Sequence, residues 1–379
     1  MAVPGMVPAS AAAHIPVARV GHALYDVGVH SNVTRAEVDR AATTSSAFTQ
    51  YQYTVTVGTT SYSGVIAGVN PAVQVTNAAT TINAELVPLI FRFSDGKVWD
   101  PTKTDSCDSA ASPLSRVQNS PIVKSQSWTW GGTFLGTGQL TDAFQRAEFW
   151  KYAQPTGINP TYGINLSFAT LSPVTITVPA TWHPFEATIG CGNRALGLVN
   201  VNSLDFYIQK TVIPSLASKG VSPSTVPIFV LHNFAEFTGT RPTSTTCCIL
   251  GYHNAVSAAG GIQSYGLGMY DNSRAFTTSH DISVLSHEVG EWQNDPYPSK
   301  TNNQTPSWGH TGQVSGCQHN FEVGDPLSNT TFADTFGGFT YHPQELAFFS
   351  WFYHQSPTLG VNGWYSDQGK FKTFAANCT

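Results

Sequence analysis

Residues 286–298 read SHEVGEWQNDPYP, and in them His287 and Glu291 stand four residues apart with Glu288 beside the histidine. On a helix, side chains at i and i+4 project together, so an imidazole and a carboxylate at that spacing can share one divalent cation. Glu288 occupies the place of the general base in H-E-x-x-H zinc enzymes. The second imidazole of that motif is here a carboxylate, which zinc also accepts. An anionic ligand in place of a neutral one makes the ion less electrophilic and its water less acidic. The oxygen-richer set also admits manganese, iron or calcium.

A further ligand is needed, and Cys317-Gln-His-Asn-Phe-Glu-Val-Gly-Asp325 supplies two candidates. Glu322 is one. Asp325 is the other, either as a ligand or as the group that orients His287. His310 and His319 are rivals that would restore a second nitrogen donor. Tyr341 and His342 could stabilise an oxyanion near the ion, although such residues more often pack or cap. Taken alone, a pattern as short as HEVGE is more often a solvated helix face, with Glu322 and Asp325 capping a loop.

The helix that must present these groups has its own signals. With His287 at zero and about 100° per residue, Glu291 falls at about 40° and Glu288 at about 100°. Leu285, Val289, Trp292 and Ile282 fall between about 140° and 220°, which makes the segment amphipathic. Thr278-Ser-His-Asp281 offers a capping box to open it, and Asp295-Pro296 ends it. Upstream lie buried-type strands over 226–234, 249–256 and 264–271 and a helix over 202–216, which Pro214 should end or kink. Helix, three strands and a metal helix is the order of a zincin catalytic core. The segment opening at Pro343 and running to Tyr353 suits a helix with proline at its start.

The first half is expected to be β-rich. YQYTVTVGTTSYSGVIAG (51–68) alternates around a turn and predicts a hairpin. Residues 73–77, 84–93 and 174–180 suit further strands, residues 101–121 a loop, and Thr34-Arg-Ala-Glu37 a capping box. The expected architecture is α+β: a β-rich region over 1–195, then a zincin-like metal-binding region over 196–379.

The run His287-Glu-x-x-Glu291, Asn294-Asp-Pro296, Trp308 and Glu322-Val-Gly-Asp325 resembles a pattern shared by two groups of proteins. One is the plant phosphate-induced, EXORDIUM-like family. The other is a set of exported bacterial HExxE proteins, abundant in acidobacteria and described as metallopeptidases. The first likeness spans residues 286–326. The second extends through Asp142-Ala-Phe-Gln-Arg-Ala-Glu-Phe-Trp150 and Cys247-Cys-Ile-Leu-Gly-Tyr-His253. The resemblance implies His287, Glu291 and Glu322 as metal ligands, in a gluzincin-like arrangement, and Glu288 as the base. Glu291 is the departure from true gluzincins and puts catalytic competence in question.

Composition limits the alternatives. The chain has 379 residues, 11% charged, with a net charge of −5, which offers no broad electrostatic case for nucleic acid. No apolar run reaches the roughly 18 residues of a membrane span. Six cysteines (Cys107, Cys191, Cys247, Cys248, Cys317 and Cys378) contain no C-x-x-C pair, so disulfides and export are expected rather than a thiolate zinc site. Of vicinal Cys247 and Cys248, at least one is expected to reach a distant partner. The opening MAVPGMVPASAAAHIPVARV does not have the form of an intact signal peptide, and a leader removed on export is the expectation. The functional expectation is a secreted zinc-dependent hydrolase, foremost a peptidase acting on peptide or protein. The alternatives are a carbohydrate- or protein-binding module on the same scaffold and a metal hydrolase for non-peptide substrates.

Overall fold

The structure, a computed structural model, describes residues 13–15, 24–25, 33–41, 47–188, 195–299 and 302–379. Its centre is a mixed 12-stranded sheet. The long strand Ala79–Arg92 pairs in parallel with Thr225–His232 on one side and with Gly163–Thr170 and Val174–Thr177 on the other. Thr225–His232 runs parallel to Gly261–Tyr270, which forms an antiparallel hairpin with Cys247–Ala258. Phe234–Phe237 and Ala195–Asn200 continue the sheet beyond that hairpin. Every residue of Thr225–His232 is buried, the mark of a strand covered on both faces.

The architecture is α+β, and one sheet crosses residue 195. The regions 1–195 and 196–379 therefore share a backbone ladder, and they also share side-chain packing. Phe48 lies 5.2 Å from Trp292, and Tyr53 packs edge-on to Phe349 at 5.1 Å. A strand such as Ala79–Arg92 needs hydrogen-bond partners on both edges, and the second half supplies one of them.

Several local expectations hold. Gln50–Val57 and Thr60–Ala67 form the hairpin. Thr34 and Glu37 exchange cap bonds at the start of the helix Arg35–Ala41. The strands expected over 84–93, 174–180, 226–234, 249–256 and 264–271 are all present. Others change. Residues 73–77 form no strand, because the Asn159 side chain binds the carbonyls of Pro71 and Val73 and the amide of Val75, so these groups need no sheet partner. The loop 101–121 contains a helix, Pro113–Gln118, capped by Ser112. Helix 202–216 widens into a π turn over Ile208–Val212 just before Pro214 and continues past that proline. Of the segment from Pro343 to Tyr353, only Phe349–Phe352 is helical.

Cys247 and Cys248 are bonded to each other, and Cys317 is bonded to Cys378. The vicinal pair is buried, so the expectation that one of the two reaches a distant cysteine is corrected. Cys107 is also disulfide-bonded. Among the described residues no helix is long and apolar enough to cross a membrane.

Candidate metal centre

The helix Ser283–Asn294 lies on the hairpin of Cys247–Ala258 and Gly261–Tyr270, and two facing glycines let it approach. Gly251 and Gly268 are register partners. A Cβ on Gly251 would meet Val284 at 2.6 Å, and one on Gly268 would meet Leu285 at 2.9 Å. Real Cβ atoms do not tolerate such contacts, so only glycines admit the helix at this depth. At the far end Trp292 Nε1 donates to Ser264 Oγ over 2.9 Å.

Two expectations about this helix are corrected. Every residue from Ser283 to Asn294 is buried, so there is no solvated face; the polar side faces an internal cluster instead. The proposed capping box is not formed: Ile282 precedes the helix, Thr278 Oγ1 binds Asn329, and Asp281 takes the amides of Ile282 and His342. The helix does end before Asp295-Pro296.

Strand alternation puts His253 on the same face of the sheet as Gly251, beneath the helix. Its Nδ1 lies 3.6 Å from Glu288 Oε2 and 3.6 Å from Glu291 Oε2, while its Nε2 lies 3.7 Å from Glu322 Oε2. His287 Nε2 lies 3.0 Å from Glu291 Oε2 and 3.7 Å from Asp325 Oδ1. Asp295 joins His253 and Glu322 with donor atoms within 4.8 Å of one another. All seven residues are at most 4% exposed.

Supporting contacts hold the cluster in place. Glu291 Oε1 accepts the amides of Gly324 (3.0 Å) and Asp325 (3.3 Å). Gly324 has to be glycine, since a Cβ there would stand 2.4 Å from His287 Nδ1. Gln313 donates to Asp325 Oδ1, and Asn320 reaches Glu322 at 3.5 Å. The Gln344 side chain donates to the Gly324 carbonyl over 2.7 Å, and its backbone amide donates to Ser286 Oγ on the helix over 2.9 Å.

Burial raises the Glu288 carboxyl to about 7, against the opposing pull of His253 and His287. Burial also raises Asp295 to about 7, His253 opposing. For Glu291 burial acts upward too, but His287 and His253 together outweigh it and hold the group at about 2. Both imidazoles are raised: burial works against their charged forms, and the carboxylates around them win. Both ring nitrogens of His253 and both oxygens of Glu288 are buried without a hydrogen-bond partner. Orphaned polar atoms at this density are costly unless a ligand satisfies them. The donor set, imidazoles and carboxylates with no competing thiolate, fits a divalent cation.

The structure thus brings together His287, Glu288, Glu291, Glu322 and Asp325, as the sequence suggested. It seats Asp325 beside the His287–Glu291 pair and Glu322 on the His253 side. His253 and Asp295 join them without having been expected as donors. The sequence marks Asp295 as a helix stop and His253 as part of a strand; a histidine in the apolar run ILGYHNAV is the available signal. Glu236 is another addition. It is fully buried with both oxygens unpartnered, and its carboxyl is raised by burial and then by Glu288.

The remaining candidates lie elsewhere. His310 and His319 are exposed and outside the cluster. Cys317 and Cys378, which approach His310, are committed to their disulfide. Tyr341 donates its hydroxyl to the Arg116 carbonyl, and His342 Nδ1 pairs with Asp281 Oδ2 at 2.7 Å. His342 lines a cleft of about 470 Å³ with Arg116, Tyr270, Arg274, His280 and Asp281. None of the seven clustered donors lines that cleft. The segment 342–344 connects the two places, because Gln344, two residues beyond His342, binds Ser286 of the helix and the Gly324 carbonyl. Comparison with protein-family models, curated proteins and solved structures finds no match to this chain.

Proposed function

We propose that the chain is an exported metal-dependent hydrolase, foremost a peptidase, built on a zincin-like arrangement with a substituted helix ligand. The observation that carries this reading is the orphaned pair of His253 and Glu288, buried among four further carboxylates and His287. A divalent cation such as zinc, held by His287, Glu291 and Asp325, supplies Lewis-acid polarisation of a carbonyl and a water of lowered pKa. Glu288 is the proton carrier. A carboxylate beside the ligand set can take a proton from a water and return it to a leaving amine. The cleft beside His342 is the proposed substrate approach, and Arg274 in its lining suits a substrate with a carboxylate. The Cys317–Cys378 bond supports export. The likeness to exported bacterial HExxE proteins points the same way.

A second reading has an observation of its own. Donors this deeply buried, none of them lining the cleft, also suit a structural ion in a binding protein for carbohydrate or protein. Metal analysis and peptide turnover of purified protein separate the two. On the hydrolase reading His287→Ala loses metal, and Glu288→Gln keeps metal but loses about 10²–10⁴-fold in turnover. A metal-loaded wild type that cleaves nothing, or a Glu288→Gln variant of full activity, would leave the structural reading in place. Protein that takes up no metal removes both.

A further inference from the structure

Three buried donor groups overlap in the cluster, with His253, Glu288 and Glu291 forming the one in the middle. The outer two share no residue: one is His287, Glu291 and Asp325; the other is His253, Asp295 and Glu322. Within each, one ligand atom per residue lies within 4.8 Å of the others. Each group has the same make-up, one imidazole and two carboxylates, so each is neutralised by one divalent cation when the imidazole is neutral. All six residues are at most 3% exposed except His253, at 4%.

His253 shows why one ion cannot satisfy the cluster. Its Nδ1 faces Glu288 and Glu291, and its Nε2 faces Glu322. The two nitrogens of an imidazole point away from each other, so a single ion can take only one of them. Neither nitrogen has a hydrogen-bond partner, although the ring is buried. An ion confined to the His287 group would leave Nε2 facing the buried Glu322 carboxylate at 3.7 Å without a hydrogen-bond partner. Zinc is also usually satisfied by four ligands, fewer than the donors assembled here.

We infer that this is a two-ion centre, with the second divalent cation held by His253 Nε2, Asp295 and Glu322. The inference rests on the metal-centre reading above and extends it. With Nε2 on that ion, the remaining Nδ1–H is directed at Glu288 and Glu291, the usual second contact of a metal-bound histidine. Glu288 then belongs to neither ion and is left as the carboxylate able to carry a proton. Glu291, 3.0 Å from His287 and 3.6 Å from His253, lies between the two groups. Two-ion sites of this chemistry are typical of hydrolases that clamp both attacking and leaving oxygens.

The test is metal stoichiometry by elemental analysis after apo-protein is loaded with zinc and passed through a desalting column. Wild type should hold two zinc ions per chain. Glu322→Gln and Asp295→Asn, which keep the side-chain shape, should hold one, as should His253→Ala. His287→Ala should keep the second ion alone. A circular dichroism melt on each variant excludes misfolding as the cause of loss. One zinc in wild type, unchanged in Glu322→Gln and His253→Ala, would overturn the second site and leave the single-ion hydrolase standing. Two zinc ions retained in all three variants of the second group would overturn the ligand assignment. No zinc in any protein would remove both readings.

Discussion

The two strands under the site helix carry buried polar groups on both faces, and the faces are built differently. Away from the helix, Asp205 accepts from Gln209 Nε2 (2.8 Å), the Tyr265 hydroxyl and Asn254 Nδ2 (3.4 Å). Gln209 also donates to the Tyr265 oxygen at 2.9 Å. One carboxylate is surrounded by donors, so its charge is paid for in hydrogen bonds. Toward the helix, carboxylates and imidazoles crowd together and His253 and Glu288 have no hydrogen-bond partners. Burial alone therefore does not distinguish structure from function here. The match between donors and acceptors does: Asp205 is surrounded by donors, while the carboxylates and imidazoles under the helix leave His253 and Glu288 without partners.

The largest expected effect that sharpens this contrast is on the satisfied face. Asp205→Ala strands the Gln209, Tyr265 and Asn254 donors and should cost about 3 kcal/mol in urea unfolding, with metal content unchanged. Glu288→Gln, on the other face, should leave metal-free stability unchanged or improve it, because it removes a buried charge. Equal losses in the two variants would erase the contrast.

A smaller effect is expected from Gly324→Ala. The new Cβ falls 2.4 Å from His287 Nδ1, so the ring must shift. Overpacking of this kind costs roughly 1–3 kcal/mol, and displacing a ligand's support should weaken zinc binding about 10-fold or more. Isothermal titration with zinc would show it; an unchanged affinity would mean that His287 is not a ligand.

A further effect is a pH dependence confined to metal-free protein. Glu288 and Asp295 sit at about 7, above their ordinary values of 4.5 and 3.8. The native state keeps protons there that the unfolded chain releases, so stability falls as pH rises from about 4 through about 7. Glu291, held at about 2, acts in the opposite sense only below its ordinary 4.5. Urea midpoints in chelator at pH 5 and pH 7.5 should decline, and zinc should abolish the decline. A midpoint that rises over this range would contradict the assignment of Glu288 and Asp295 as raised acids.

Much of the local structure was written in short stretches of residues. The hairpin 50–67, the Thr34–Glu37 cap and the helix stop at Asp295-Pro296 follow from turn residues, hydrogen-bonding side chains and alternation acting within a few positions. The same holds for the i, i+4 pairing of His287 with Glu291. Contacts across the fold decided the rest. Periodicity made HEVGE look like one face of a surface helix, but it could not show that Gly251 and Gly268 come into register and let that helix sink onto the sheet. Nor could it show that Asn159 would take the backbone groups of residues 71–75, or that His342 would turn to Asp281 rather than to the cluster. His253, Asp295 and Glu236 became part of the site only through strand register and helix docking. A side chain's chemistry is local, but which charges it must share a dry interior with depends on how distant segments pack.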